Sequence, residues 1–174
     1  APIIEDEALQ RLRLGSDAFG ARLVAHAGSP GDVQRAIELP VDVLAHVPYR
    51  GTLNRQQAKA LAEQHIPMIA TLAVWEAGNA TTQGKVLPGP LDEAVMSKSL
   101  ARKRLRFARK GTKLTGELGT WGQHLTDSRV RAANIQLLRN ENGTVLIGSD
   151  SPNMGLIAGS AFHLELDLHQ QLGR

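Results

Sequence analysis

The chain has 174 residues, 42% of them hydrophobic, which is enough to bury a sizeable core and is typical of a globular protein. Its 20 Lys and Arg against 17 Asp and Glu give a formal charge of +3, too weak to predict a nucleic-acid or acidic partner. The lack of cysteine excludes disulfides and thiolate metal sites, so any metal must bind His, Asp, Glu or carbonyl oxygens.

The sequence gives little information on where the chain acts. No apolar run is long enough to span a membrane and no signal peptide is recognisable, so we predict no membrane partner. The absence of cysteine suits both the cytoplasm and the periplasm, which leaves the compartment open. The chain starts with Ala1 instead of Met, which predicts a processed chain or a fragment.

The amino-terminal part predicts a helix followed by a strand and a second helix. Residues 4–14 have helical spacing, with an inner face expected to contain Ala8, Leu9 and Leu12. Residues 21–25 form a short apolar strand that ends at His26. Ser29 then begins a helix, because it combines a capping hydroxyl with a following proline and an acid three residues on.

The same strand and helix pattern repeats along the next segment. A strand over residues 41–45 ends at His46, and Asn54 with Gln57 begins another helix. Residues 66–72 are the next predicted strand. Strands separated by one helix each, without hairpin turns, predict right-handed crossovers and a parallel sheet. The fold class is therefore α/β, and both histidines fall at the carboxyl edge of the sheet.

The regular alternation is interrupted before it resumes near the carboxyl terminus. We interpret residues 76–126 as an insertion that contains a long basic helix over 91–113. A helix over 130–138 and a strand over 145–147 then lead to Asp150. No second domain is evident, so residues 1–174 are predicted to be one domain with this insertion.

Three strand-end side chains are the candidate site. His26 and His46 are one repeat apart, and imidazoles on neighbouring parallel strands converge as a divalent ion requires. Asp150 follows a buried strand directly, where it could bind the same ion and accept a proton from activated water. The alternative is that both histidines only cap strand ends and that Asp150 orders its loop.

The three quoted segments LVAHAGSPGDVQRAIELPVDVLAHV, IPMIATLAVWE and GSDSPNMGLIAGSAFHLELDL resemble the amidohydrolase superfamily, particularly its imidazolonepropionase-like and prolidase-like branch. The resemblance covers nearly the whole chain except the insertion. It implies a TIM-type (β/α)8 barrel with one or two divalent metal ions, commonly zinc. It also implies that His26 and His46 are metal ligands after the fifth and sixth strands, and that Asp150 is ligand and proton shuttle after the eighth.

The chain departs from that family in its missing parts. The family uses a His-x-His pair on its first strand, and no such pair occurs in this sequence. A full barrel needs about 250 residues. We therefore expect the chain to be the C-terminal half of the barrel, completed by a complementary N-terminal half chain, by a homo-oligomer, or by a missing part of the same polypeptide.

The resemblance implies a metal-dependent amidohydrolase that cleaves an amide or peptide-like C–N bond in a small-molecule or dipeptide-like substrate. Loops over 48–53, 74–80 and 151–159 are expected to line the pocket. The substrate-binding candidates are Tyr49, Trp75 and Asn153 in these loops, and His124 in the irregular region.

Two other interpretations remain open. His26, His46 and Asp150 also match the two-histidine, one-carboxylate donor set of non-haem iron oxygen chemistry. Alternatively, the chain is a non-catalytic barrel remnant that binds nucleic acid or a protein through residues 98–113, which include eight Lys or Arg. This alternative would depend on Arg102, Lys103, Arg104 and Arg106. Aromatic side chains for base stacking are scarce, so nucleic acid is the less expected partner.

Overall fold

Short strands alternate with helices through the computed structural model, which describes residues 4–39, 41–109, 124, 127–153 and 155–172. Within these ranges no helix is both long enough and apolar enough to cross a membrane. In chain order the elements are α1 (Asp6–Ala18), β1 (Val24–His26), α2 (Pro30–Glu38), β2 (Val43–Ala45), α3 (Arg55–Glu63), β3 (Met68–Ile69), α4 (Leu72–Thr82), α5 (Asp92–Val95), α6 (Lys98–Arg109), α7 (Ser128–Asn140), β4 (Val145–Leu146) and α8 (Ser160–Leu172).

The four strands form one parallel sheet in the order β1-β2-β3-β4. His26 pairs with Ala45, Ala45 with Ile69, and Ile69 with Leu146. The predicted α/β class with a parallel sheet is therefore confirmed. Because neighbours in space are also neighbours in sequence, the sheet has no point at which the strand order reverses. This is the strand order of a TIM-type barrel, whereas a doubly wound sheet contains such a reversal.

The chain divides into two compact units. The first contains Ala1–Ala70 and Arg129–Leu146, and therefore the whole sheet, α1 to α3 and nearly all of α7. The second contains Thr71–Ser128 and Ile147–Arg174, and therefore α4, α5, α6 and α8. The core of the first unit includes the buried side chains of Leu44, Leu61, Met68, Ile135 and Leu138. In the second unit, α4 packs against α6 and α8.

The predicted helix starts at Ser29 and Asn54 are confirmed, and both are complete capping boxes. The Ser29 hydroxyl accepts the N–H of Asp32, whose carboxylate accepts the N–H of Ser29. Asn54 and Gln57 exchange the equivalent pair of bonds at the start of α3. Each box satisfies backbone donors that the first helical turn leaves without partners.

The predicted buried face of α1 is wrong, although the helix itself is present. No residue of α1 is buried, and Leu12 is 48% exposed. Phe19, directly after the helix, is 89% exposed. The apolar spacing was interpreted correctly as helical, but the described residues of its unit do not cover this side of the helix.

The predicted strand over 66–72 is too long, and the predicted loop over 74–80 is wrong because these residues are helical. The strand is limited to β3, because Thr71 has a left-handed backbone with φ of 54° and α4 begins at Leu72. An apolar run of this kind fits a buried strand or a buried helix equally well, and here it contains one of each. The predicted helix over 91–113 is likewise interrupted between α5 and α6, and residues 110–113 lie outside the described residues.

Glu165, on α8, provides the start of α4 with hydrogen-bond acceptors from a distant part of the chain. Its carboxylate is fully buried and accepts the N–H groups of Leu72 and Ala73 at 2.8 and 2.6 Å. His169 Nε2 lies 3.2 Å from the same carboxylate. The N-cap position, Thr71, makes no side-chain capping bond, so Glu165 takes over that function for α4.

We expect Glu165→Ala to lower the free energy of unfolding by roughly 2 kcal/mol or more, because two backbone donors would stay buried without acceptors. Glu165→Gln keeps one carbonyl acceptor and should lose less. Urea unfolding followed by circular dichroism measures both losses. Asp167→Asn, an exposed carboxylate on the same helix, is the matched control. Equal stability of Glu165→Ala and the control would contradict this function.

Asp32 connects α2 to the loop after β1. Its carboxylate accepts the N–H groups of Gly28 and Ser29 at 2.9 and 2.8 Å. Burial alone would raise the pKa of Asp32, but the Ser29 hydroxyl, these two N–H groups and the nearby Arg50 cation outweigh burial. The pKa of Asp32 therefore lies below its ordinary value.

This depressed pKa makes the contact sensitive to acid. Ionised Asp32 stabilises the fold above the unfolded-state pKa of about 4, and the contribution is lost as pH falls through the lower folded-state pKa. We expect Asp32→Asn to lower stability near neutral pH and to flatten the loss of stability below about pH 4. Urea unfolding at a series of pH values tests this. A variant with the same acid slope as the parent chain would contradict it.

Candidate functional site

His26 and His46 are in contact at the carboxyl ends of β1 and β2. His26 is the last residue of β1, and His46 follows β2 directly. His26 pairs with Ala45 in the parallel ladder, so a regular strand would turn His46 to the opposite face of the sheet. The left-handed backbone of His46 departs from that alternation, and the two rings lie together. Their ring centroids lie 4.6 Å apart with an edge-to-face angle of 66°. His26 is exposed and His46 is half-buried, so the pair is accessible from one side.

Two of the three candidate ligands have backbones in the left-handed region, which non-glycine residues rarely adopt. The φ angle is 72° at His46 and 51° at Asp150. Such conformations cost about 1–3 kcal/mol and persist where surrounding contacts fix them, often at functional sites. This feature has no signature in the sequence. It includes His46 and Asp150 but not His26, and it is shared by His65, Thr71 and Asn142.

Asp150 belongs to the second unit, where it is exposed and forms a turn with Asn153. Asn153 Nδ2 donates to Asp150 Oδ2 at 3.1 Å, and the Asn153 N–H donates to the Asp150 carbonyl at 3.2 Å. The structure thus brings together two of the residues predicted to act, a carboxylate and an amide. The role of Asn153 in substrate binding stays a prediction, and its hydrogen bond orients the Asp150 carboxylate.

Tyr49 lies in the loop after β2, as predicted, but its side chain is almost completely buried. The N–H groups of Tyr49 and Arg50 both donate to the Gly28 carbonyl, at 3.0 and 2.9 Å. A side chain at Gly28 would lie 3.0–3.1 Å from the Tyr49 ring, so glycine is required for this close approach. The loops after β1 and β2 are therefore held together beside the histidine pair.

Arg50 is a candidate binding residue that the sequence interpretation missed. Its Nη2 donates to the Tyr49 hydroxyl at 3.0 Å, and the guanidinium carbon lies 5.2 Å from the Tyr49 ring centroid. Residue 50 is exposed, so this cation is held by Tyr49 and still reaches solvent. The sequence contained one indication of this residue, because Arg50 lies four residues after His46 in the loop that follows the predicted strand.

Trp75 and His124, the other two predicted substrate contacts, lie in different surroundings. Trp75 is 1% exposed inside α4, so it lies in the interior of the second unit and not in the predicted loop. The reason is the helix start at Leu72, which turns the side chain of Trp75 toward packed neighbours. His124 is half-buried, and the residues on both sides of it lie outside the described residues. Its role stays a prediction.

The basic segment does not form one uniformly exposed surface. Arg104 is buried and makes an ion pair with Asp92 and a hydrogen bond to the Leu87 carbonyl. Burial would raise the pKa of Asp92, but the Gly89 N–H and the Arg104 cation outweigh it and lower the pKa. Arg104 is therefore wrong as a member of a binding surface. The exposed cations that share one side of α6 are Lys98, Arg102, Arg106 and Arg109.

The histidine pair fits part of a metal donor set. Two imidazoles at the ends of neighbouring strands, with their rings in contact, are the neutral nitrogen donors that zinc accepts. Across the described ranges, no three or more His, Asp or Glu side chains come together as a complete metal site. The chain accordingly offers two nitrogen ligands in one place, and a complete centre requires further donors.

Comparison with known proteins found similarity among solved structures. No protein-family model matches the sequence, and no curated protein matches it either. Among solved structures, the chain is similar to a Xaa-Pro dipeptidase with bound methionine in its active site, at 14% identity and a TM-score of 0.63. It is also similar to an amidohydrolase, at 17% identity and a TM-score of 0.59. A third similar structure is a prolidase complexed with N-methylphosphonate-L-proline, at 13% identity and a TM-score of 0.55.

These similarities cover almost the whole of this chain and a minor part of the others. They include 99%, 98% and 91% of this chain, but only 34%, 32% and 30% of the dipeptidase, the amidohydrolase and the prolidase. The predicted resemblance is thereby confirmed in its fold. The chain has the fold of about one third of an amidohydrolase- or prolidase-type protein.

Proposed function

We propose that the chain is part of a metal-dependent hydrolase that cleaves an amide or peptide-like C–N bond. The observation that carries this proposal is the contact between the His26 and His46 rings, 4.6 Å apart, at the carboxyl edge of a parallel sheet. Ligands bind at that edge in barrel enzymes. The fold shared with a dipeptidase, a prolidase and an amidohydrolase supports hydrolysis over non-haem iron oxygen chemistry.

In this proposal His26 and His46 hold a divalent ion, with zinc as the leading candidate. A divalent ion held there would supply Lewis-acid chemistry, which polarises a carbonyl and lowers the pKa of a bound water. Asp150 accepts the proton that water loses as its oxygen attacks the carbonyl carbon. It then delivers that proton to the nitrogen as the C–N bond breaks, so it acts first as base and then as acid. The hydrogen bond from Asn153 orients the carboxylate for both steps.

The proposed substrate is a small molecule or dipeptide that carries a carboxylate. Arg50 is the exposed cation on the loop after His46, and a guanidinium pairs well with a planar carboxylate. The compounds bound to the two neighbouring enzymes, N-methylphosphonate-L-proline and methionine, support this class. Arg50→Met would therefore be expected to raise KM more than it lowers kcat.

We further propose that other strands complete the barrel and supply the missing ligands. The chain spans about one third of the enzymes it resembles. Among the described strands, β1 and β4 are each paired on one side only. Val24 on β1 is 54% exposed, and no described residue covers the apolar face of α1. A complementary N-terminal part, on another chain, in a second copy or in a longer polypeptide, would cover these surfaces.

His26→Ala and Asp150→Asn should each abolish turnover of dipeptide substrates by the assembled enzyme while leaving it folded. The first removes a proposed metal ligand, and the second removes the proton acceptor. Initial rates, metal content and circular dichroism on the same samples measure these effects. His163→Gln, an exposed histidine on α8, is the matched control. Full activity in either of the first two variants would refute the corresponding role.

A second candidate function rests on the exposed cations of α6. Lys98, Arg102, Arg106 and Arg109 lie on one side of the helix, and their arrangement could bind phosphates of a nucleic acid. This candidate predicts that affinity for duplex DNA falls steeply with salt, with a logarithmic slope of about −0.9 per phosphate contacted.

Neutralising three of these cations tests that candidate. Under it, the combined change Lys98→Gln, Arg102→Gln and Arg106→Gln should abolish DNA binding in a fluorescence anisotropy titration. The buried Arg104 is left intact, because its removal would disrupt the ion pair with Asp92. Lys85→Gln, an exposed cation in the same unit, is the control. Binding that does not change with salt would exclude the candidate.

A further inference from the structure

Asn134 is a fully buried amide on α7 that bonds to both ends of the loop after β2. Its Oδ1 accepts the Leu53 N–H at 2.7 Å. Its Nδ2 donates to the Pro48 carbonyl at 2.9 Å and to the Gly51 carbonyl at 3.0 Å. Because carbonyls only accept and an N–H only donates, the orientation of the amide is fixed by its partners. One side chain thus closes residues 48–53 into a single clamped loop.

The clamped loop is also attached to the loop after β1. Gly28 accepts two N–H groups from its residues. The Gln57 amide on α3 donates to the Pro30 carbonyl at the start of α2 at 2.8 Å, which joins the helices that follow the two loops. Gly51 has a φ of 154°, and a side chain there would lie 3.3 Å from the Pro30 ring. The two loops that follow the histidine strands therefore share a contact surface, and Asn134 fixes one side of it.

His46 lies between two anchored points of the backbone. On its amino side, the Ala45 carbonyl accepts the Ala27 N–H at 3.1 Å. On its carboxyl side, the Val47 N–H donates to the Ala70 carbonyl at 3.3 Å, and Asn134 holds Pro48. Proline at 48 also restricts Val47 to an extended conformation. A left-handed residue persists where its surroundings leave no relaxed alternative, and these anchors meet that condition at His46.

We propose that Asn134 is a positioning residue for the histidine pair. By clamping residues 48–53 it keeps His46 in its left-handed conformation and so maintains the ring contact with His26. The importance of this contact for catalysis rests on the proposed function, whereas the positioning itself is a property of the first unit alone. The amide acts through its three hydrogen bonds to the loop.

The chain contains one tyrosine and six histidines, so selective labelling makes the positioning directly observable. The test compares the full chain with Asn134→Ala, measuring nuclear Overhauser effects between the His26 and His46 rings and the resonances of Tyr49. Single His→Gln variants assign the two rings. We expect Asn134→Ala to abolish the ring-to-ring effect and to shift the Tyr49 resonances, while circular dichroism stays close to that of the parent.

Two variants separate positioning from general destabilisation. Leu138→Ala opens the core on the same helix without altering a bond to the loop, and it should preserve the ring-to-ring effect. Asn140→Ala removes an exposed amide at the end of α7 and should change nothing. If Asn134→Ala does not fold, Asn134→Ser replaces it, because its single hydroxyl cannot satisfy Leu53, Pro48 and Gly51 together, and the same loss of contact is expected.

Zinc titration of the same proteins adds a readout that depends on the proposed function. If the pair binds zinc, Asn134→Ala should weaken the affinity roughly tenfold, as loss of a supporting contact typically does. Leu138→Ala should retain the affinity of the parent. An unchanged ring-to-ring effect in both Asn134 variants would overturn the positioning role. Absence of zinc binding in the parent chain, with the ring contact still lost on substitution, would instead count against the proposed function alone.

Discussion

The parallel pairing of β1 with β2 is the constraint on which the candidate site depends. Its register places His26 opposite Ala45, so His46 follows at the same edge, and the left-handed backbone of His46 brings its ring beside that of His26. The capping box at Ser29 and the close approach of Gly28 to Tyr49 then fix the two loops that follow.

In each unit, a buried polar side chain on a late helix bonds to the backbone of an earlier segment. In the first, Asn134 on α7 reaches the loop after β2, and in the second, Glu165 on α8 reaches the start of α4. Both side chains are fully buried, and each bonds to backbone groups of a distant segment. Buried polar groups of this kind are costly unless satisfied, and once satisfied they specify one conformation. The strand-end segments are thereby fixed by helices that come much later in the chain.

Features that depend on neighbouring residues could be predicted from the sequence. The strand-end histidines, the caps at Ser29 and Asn54 and the parallel sheet follow from local patterns, and the structure has them. The partners of Asn134 and Glu165 lie 81 and 93 residues away, so no local pattern identifies either bond. The start of α4 was missed because an apolar run does not distinguish a strand from a buried helix. The burial of Arg104 was missed because its partner Asp92 belongs to another helix.

We propose that His26 and His46 supply two ligands of a divalent metal centre whose remaining donors lie in a complementary part of the barrel. Native mass spectrometry of the purified material, with metal analysis of the same sample, tests it most directly. We expect the chain to be found with a complementary segment that carries a His-x-His pair, and with one or two divalent ions per assembly. A metal-free monomer of 18.7 kDa that also fails to take up zinc would contradict the account.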